Sequence, residues 1–205
     1  MIHFIFPGLT IIMFMLIGCQ TTGEVVKLQI GNFQESSETG GGNLKVAVRP
    51  FEDQRPHKKD LGIRTGHWGG ITYYTLWNGN FGTGFSGAVV DFLQQKGFNA
   101  ARAGSPSHKG TPDVTLSGKI KELTANAKSS FGSTSLEVKA LVEFEVKNTL
   151  DGSTVWITVA ASETDTEIWF DHEDMEELVN EVLGEVFVQF LEGTEVRGKA
   201  LKRKT

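Results

Sequence analysis

The chain has 205 residues, enough for one compact domain with its own core once an N-terminal segment is set aside, and short for two domains. Charged side chains make up 22% of it and the formal net charge is -5, so no basic field exists to hold nucleic acid. A single cysteine excludes an internal disulfide, which leaves burial alone to hold the fold and leaves the thiol to be explained.

From Phe4 to Ile17 the sequence is almost wholly apolar and is interrupted by Pro7 and Gly8. That length is too short for an ordinary spanning anchor and suits the apolar segment of a signal peptide. Ahead of it stand only the amino terminus and His3 in place of the usual basic residues, which leaves the true start codon open. Leu16, Ile17, Gly18 and Cys19 then match the lipobox of bacterial lipoproteins: a branched apolar residue, a tolerant position, a small residue, and the cysteine. The chemistry asks for this order, because the Cys19 thiolate attacks the lipid donor and Gly18 lets the peptidase approach the bond to be cut. The expected mature chain begins at Cys19, carries acyl groups on it, and is held at a membrane by them. Gln20 follows the cysteine where an Asp would retain the protein at the inner membrane, so the expected address is the outer membrane, facing the periplasm.

Residues 19–43 read as a flexible tether ending in Ser36, Ser37, Glu38, Thr39 and three glycines, although Val26, Leu28 and Ile30 alternate with polar neighbours and suggest a short edge strand at 25–30. A single domain is expected over 44–193. It opens with a strand at Leu44, Val46 and Val48, stopped by Pro50, and continues into the polar loop FEDQRPHKKD. The glycine-rich stretch Gly62 to Gly87, which carries Trp68, Tyr73, Tyr74, Trp77, Phe81 and Phe85, is expected to be loop. Val89, Phe92 and Leu93 give helical spacing over Ser86–Gln95, with Gly97 as a left-handed cap, and Phe98 to Ala103 reads as a second strand parallel to the first. Three long strands follow at 113–126, 133–148 and 153–166. In the middle one Leu136, Val138, Ala140, Val142, Phe144 and Val146 alternate with charged residues, giving one buried and one wet face, and Asp151 and Gly152 supply the last hairpin turn. A helix over 171–191 carries one apolar stripe from Met175 to Leu191, with Asp171 as N-cap and acids in its first turns. The basic tail 194–205 is expected to be disordered. The fold class is therefore α+β: a mixed, mostly antiparallel sheet, built as β-α-β followed by a three-stranded meander, with two helices packed on one face.

Taken together, the lipobox, the phrases LSGKIKEL and SLEVKALVEFEV, and the closing helix MEELVNEVLGEVFVQFL resemble the YajG-type lipoproteins of the bacterial outer membrane. The resemblance covers about residues 86–192 and rests on strands and a helix, not on catalytic residues; residues 50–85 depart from the family. It implies a membrane-tethered, non-enzymatic envelope protein and brings no active-site residues with it.

Several patterns invite sharper readings. Gly82, Gly84 and Gly87 spell GxGxxG, but no acid stands near position 105 to hold a ribose, so the expected use is backbone freedom and close packing, and no cofactor is assigned. Ser86 lies in GFSGA, which lacks the second glycine of a nucleophile elbow. His57, His67, His108 and His172 form no ligand pair, so no metal is expected, and Glu173 and Asp174 are explained as helix-start acids. The aromatic residues Trp68, Tyr73, Tyr74 and Trp77 are the candidate contact surface for an envelope protein or a glycan; the other reading of them is a flap over the core. The expected function is a non-catalytic interaction or scaffold module on a membrane. The alternatives are an auxiliary lipoprotein of a transport or secretion complex and an envelope enzyme acting on peptidoglycan or lipid.

Overall fold

In the computed structural model the described residues are 23–31, 33, 41–76, 80–106 and 110–204. The lipobox and the expected signal peptide lie outside them. The frame is a meander of three long antiparallel strands, β7 (Val114–Ser130), β8 (Ser133–Asn148) and β9 (Thr154–Glu167). Its alternation is the one read from the sequence: Leu136, Val138, Ala140, Val142, Phe144 and Val146 of β8 are all buried. Gly152, with φ of 68°, takes the left-handed conformation that the turn between β8 and β9 requires.

The other side of β7 carries two short ladders. Near its start β2 (Lys45–Val48) runs parallel to it and pairs with β6 (Asn99–Arg102), also parallel, through the helix α1 (Phe81–Gln95). Near its end β4 (Gly62–Thr65) runs parallel to it and pairs antiparallel with β5 (Ile71–Leu76), which in turn holds β1 (Glu24–Leu28) in parallel. Between the two, β3 (Glu52–Asp53) pairs with β7 just before an irregularity in its register between Ile120 and Glu122. An inserted residue of this kind bends a strand, and here it falls where β7 changes partners.

The second helix, α2 (His172–Glu192), lies with α1 against one face of the sheet. Asp171 and Asp174 close a reciprocal capping box at its start, satisfying amides that have no intrahelical partner. Its stripe packs on β8 and β9. Phe190 stacks on Phe144 at 4.3 Å between centroids, and Phe187 meets the rings of Phe33, Phe85 and Phe92 at 5.3 to 5.4 Å. The α+β class, the β-α-β unit, the meander and the single helical face are as expected.

The structure departs from expectation in several places; β3 lies in the segment expected to be loop, and β7 runs on to Ser130. The folded body begins well before residue 44: β1 is a strand of the sheet, Leu28 and Phe33 are core residues, and Gly41 lies against the Phe98 ring, where a Cβ would fall 2.4 Å from Cδ2. Residues 62–76 are not loop but a hairpin, β4 and β5. The helix α1 starts at Phe81 instead of Ser86, capped by Asn80, whose side chain accepts from the Thr83 amide. Its glycines disfavour a helix in isolation, and packing overrides that preference. Finally, the tail forms the hairpin β10 (Thr194–Arg197) and β11 (Ala200–Arg203). The buried Asn148 side chain holds it, donating to the Leu201 carbonyl at 3.0 Å and accepting from the Leu201 amide at 2.8 Å.

Candidate functional site

Of the residues expected to form the contact surface, Trp68, Tyr73 and Tyr74 are described, and they do not share one face. Along β5 successive side chains point to opposite faces, so Tyr74 is wholly buried while Tyr73 stays half-buried on the other side. Trp68 stands at the tip of the β4–β5 hairpin, where Gly66 and Gly70 close the turn and Gly69 takes φ of 86°. It is 79% exposed. Trp77 and His108 lie outside the described residues. Within the aromatic stretch, Tyr74 packs in the core and Trp68 faces outward.

What joins Trp68 are three residues the sequence analysis did not single out. Phe131, in the β7–β8 turn, is 93% exposed; Ile168 and Trp169, between β9 and α2, are 70% and 91% exposed. The register brings these tips to one end of the molecule. Thr65 pairs with Lys128, Ser130 with Ser133, and Thr134 with Glu167, so the β4–β5, β7–β8 and β9–α2 connections are neighbours. His67 bridges two of them, its ring 4.8 Å from that of Trp68 and 6.2 Å from that of Phe131. The signal for these residues was present as large apolar side chains at turn positions, Phe131 among serines and glycine and Trp169 just ahead of an N-cap. It is a weak signal alone, because single exposed apolar residues are common.

Between the tips runs an open groove of about 670 Å³. Trp68, Ile168, Trp169 and Phe170 stand at its sides, and Thr72, Ser129, Ser133 and Thr134 give it a hydroxyl-rich floor. Arg64 organises that floor: its Nε donates to Ser129 Oγ at 3.0 Å while its guanidinium lies 4.5 Å from the Phe170 ring centroid. Ser129 and Thr134 share a hydroxyl–hydroxyl hydrogen bond of 2.9 Å. Glu24 and Asp171 also line the groove, so Arg64 gives it no cationic excess.

Behind the groove, Tyr74 and His172 pack edge to face at 6.1 Å. The Tyr74 hydroxyl and His172 Nδ1 are buried with no hydrogen-bond partner among the described residues. Burial removes the phenolate from water and pushes the Tyr74 hydroxyl up to about 12.

The other motifs have structural uses. Gly82 lets α1 seat on the chain at Phe51, where a Cβ would come within 2.1 Å of the Phe51 carbonyl oxygen. Ser86 is buried, donates to the Gly82 carbonyl at 2.6 Å and accepts from the Phe51 amide at 3.1 Å, which fixes α1 to the chain after β2. Asp174 closes the cap of α2. Among the described residues no three His, Cys, Asp or Glu side chains gather in an arrangement that could hold a metal ion, and no helix is long and apolar enough to cross a membrane.

The architecture is thus an α+β domain whose helices cover one face of a long-stranded sheet and whose loops at one end carry exposed rings. No family model matches the chain, and no curated protein matches it in sequence. Among solved structures it is similar to protein XCC0632 from Xanthomonas campestris, of the family DUF330, at 9% identity over 82% of this chain and 92% of that one, with a TM-score of 0.51. An uncharacterised protein aligns at 11% identity over 84% of this chain and 97% of its own, with a TM-score of 0.49. Lipoprotein GNA1162 from Neisseria meningitidis aligns at 13% identity over 70% and 98%, with a TM-score of 0.35. The first of these shows a shared fold and nothing further.

Proposed function

We propose that the chain is a lipoprotein of the bacterial envelope, of YajG type, held on the periplasmic face of the outer membrane by acyl groups on Cys19 and working there as a non-catalytic interaction module. The observation that carries the reading is the Leu16-Ile17-Gly18-Cys19 lipobox, placed only four residues before Gly23, where the described fold begins. Four residues reach at most about 14 Å. A body attached through so short a connection works beside the bilayer, and its aromatic end, which includes Glu24 at the start of β1, is the part nearest the anchor.

The non-catalytic part of the reading is supported by what the candidate catalytic groups do instead. Ser86 is consumed by packing contacts, and the acids at the start of α2 cap it and offset its dipole. The test is growth of a bacterial host with labelled palmitate. The native chain should take up label and sediment with membranes, and Cys19→Ala should do neither; label that persists in Cys19→Ala removes the reading.

A further inference from the structure

The exposed apolar side chains at the groove end, three of them aromatic rings, have a common position that neither the fold nor the tether requires. Trp68, Phe131, Ile168 and Trp169 come from three separate connections, and each is at least 70% exposed. Single apolar side chains on a surface need no explanation, but a set gathered on adjacent tips marks a contact surface. Where this set lies decides its occupant. The amide of Gly23 donates to the carbonyl of Ile71, the residue after the Trp68 turn, so the chain leading back to Cys19 leaves the domain beside these rings. With about 14 Å at most between Cys19 and Gly23, an acylated sulfur in the bilayer brings the rings to the lipid headgroups. Tryptophan, with a flat apolar body and one N–H donor, is the side chain most suited to that layer.

Resting on the lipoprotein reading, we infer that this end of the domain is a membrane-docking surface, whose partner is the bilayer that holds the anchor: Trp68, Phe131, Ile168 and Trp169 enter the boundary between headgroups and acyl chains and fix the orientation of the body. The strands of the meander then run away from the membrane. β7, with 17 residues and a bend near Ile120, carries its far end at most about 55 Å from the bilayer. The acids Glu24 and Asp171 beside Arg64 leave the surface without the basic field that reads anionic lipid, so the rings and not charge make the contact.

The test uses the full chain, purified with its acyl groups and reconstituted into phosphatidylethanolamine and phosphatidylglycerol vesicles with or without brominated acyl chains. Versions retaining only Trp68, only Trp169 or only Trp156 are compared, the other tryptophans being replaced by Phe. Trp156 pairs with Glu145 far along β9 from the docking end and serves as the internal control. Brominated lipid should lower the emission of Trp68 and of Trp169 about twofold or more and leave Trp156 unchanged. Quenching of none of the three in acylated, vesicle-bound protein overturns the proposal, as does protection of Trp68 and Trp169 from both brominated lipid and aqueous acrylamide, which would mean that a second copy or another protein covers them. Intact mass measured on the same sample separates the two failures: a chain without acyl groups removes the lipoprotein reading and the docking with it, whereas an acylated chain with unquenched tips removes the docking alone.

Discussion

The glycines of α1 offer a prediction whose sign changes along one helix. A Cβ at Gly82 would lie 2.1 Å from the Phe51 carbonyl oxygen and 3.2 Å from its carbon. That is more than about 1 Å inside ordinary contact, and the obstacle is backbone, so either α1 or the segment after β2 must move. Overpacking of this kind costs about 1–3 kcal/mol, set against a helix-propensity gain of nearly 1 kcal/mol for Gly→Ala. Gly82→Ala should therefore destabilise by up to about 2 kcal/mol, towards the upper end because the obstacle is backbone. At Gly84 the same methyl would meet only Leu76 Cδ1 at 3.6 Å, an ordinary contact, so Gly84→Ala should keep the propensity gain and stabilise by about 0.5–1 kcal/mol. At Gly87 the methyl would fall 2.3 Å from Nη2 of Arg102, the far end of a flexible side chain that can swing aside, and the net effect should be near zero. Urea unfolding followed by far-UV circular dichroism reads all three. With a slope of about 2 kcal/mol per molar, Gly82→Ala should lower the midpoint by up to about 1 M and Gly84→Ala should raise it by a few tenths. Stabilisation by Gly82→Ala, or destabilisation by Gly84→Ala of the same size as that at Gly82, would refute the seating of α1 on Phe51. It would also reopen a loop reading of the GxGxxG stretch.

Two further outcomes are expected. Tyr74→Phe deletes a buried hydroxyl that has no partner, so it should be neutral or stabilise by up to about 1 kcal/mol in the same assay; a loss above that size would show that the hydroxyl is bonded after all. Burial acts to raise the Asp53 carboxyl, but the paired hydrogen bonds from buried Arg55, at 2.9 and 3.0 Å, outweigh it and hold Asp53 below its ordinary value of 3.8. A depressed carboxyl contributes stability that is present above the unfolded value and is lost as pH falls through the folded one. Stability should thus fall with pH below about 4 in the native chain and less steeply in Asp53→Asn, and equal slopes for the two would discard the pair as a source of acid sensitivity.

Much of the fold was legible because it rests on periodicity. In β8 every second residue is buried, a pattern that only one register satisfies, and in α2 the apolar stripe and its acidic start give boundaries within one residue of those observed. The Val26 and Leu28 alternation likewise foretold β1, yet Phe33 and Gly41 looked like tether because their neighbours are polar or glycine; their partners, Phe187 and Phe98, lie far away in the chain. The same holds for α1, whose first turn is held by contacts with Phe51 and not by helix preference. The C-terminal hairpin escaped notice for a related reason. Four-residue strands with mixed polar and apolar residues give no periodic signal, and their hold on the fold is the burial of Leu201 together with bonds to Asn148, Asp151 and Ser153, all distant in the chain. Of the exposed residues at the groove end, Trp68 was singled out from its glycine-rich setting. Phe131, Ile168 and Trp169 were not, since their association depends on strand register across three hairpins and loops.

The proposed attachment of this domain to a membrane through one sulfur is tested most directly on the native protein. Its N-terminal peptide, recovered from the membrane fraction of cells and weighed by mass spectrometry, should begin with Cys19 followed by Gln20 and should carry the added mass of acyl groups. A peptide that starts at Met1, or one that contains Cys19 as a free thiol, would contradict the anchor and the placement of the aromatic end against the bilayer.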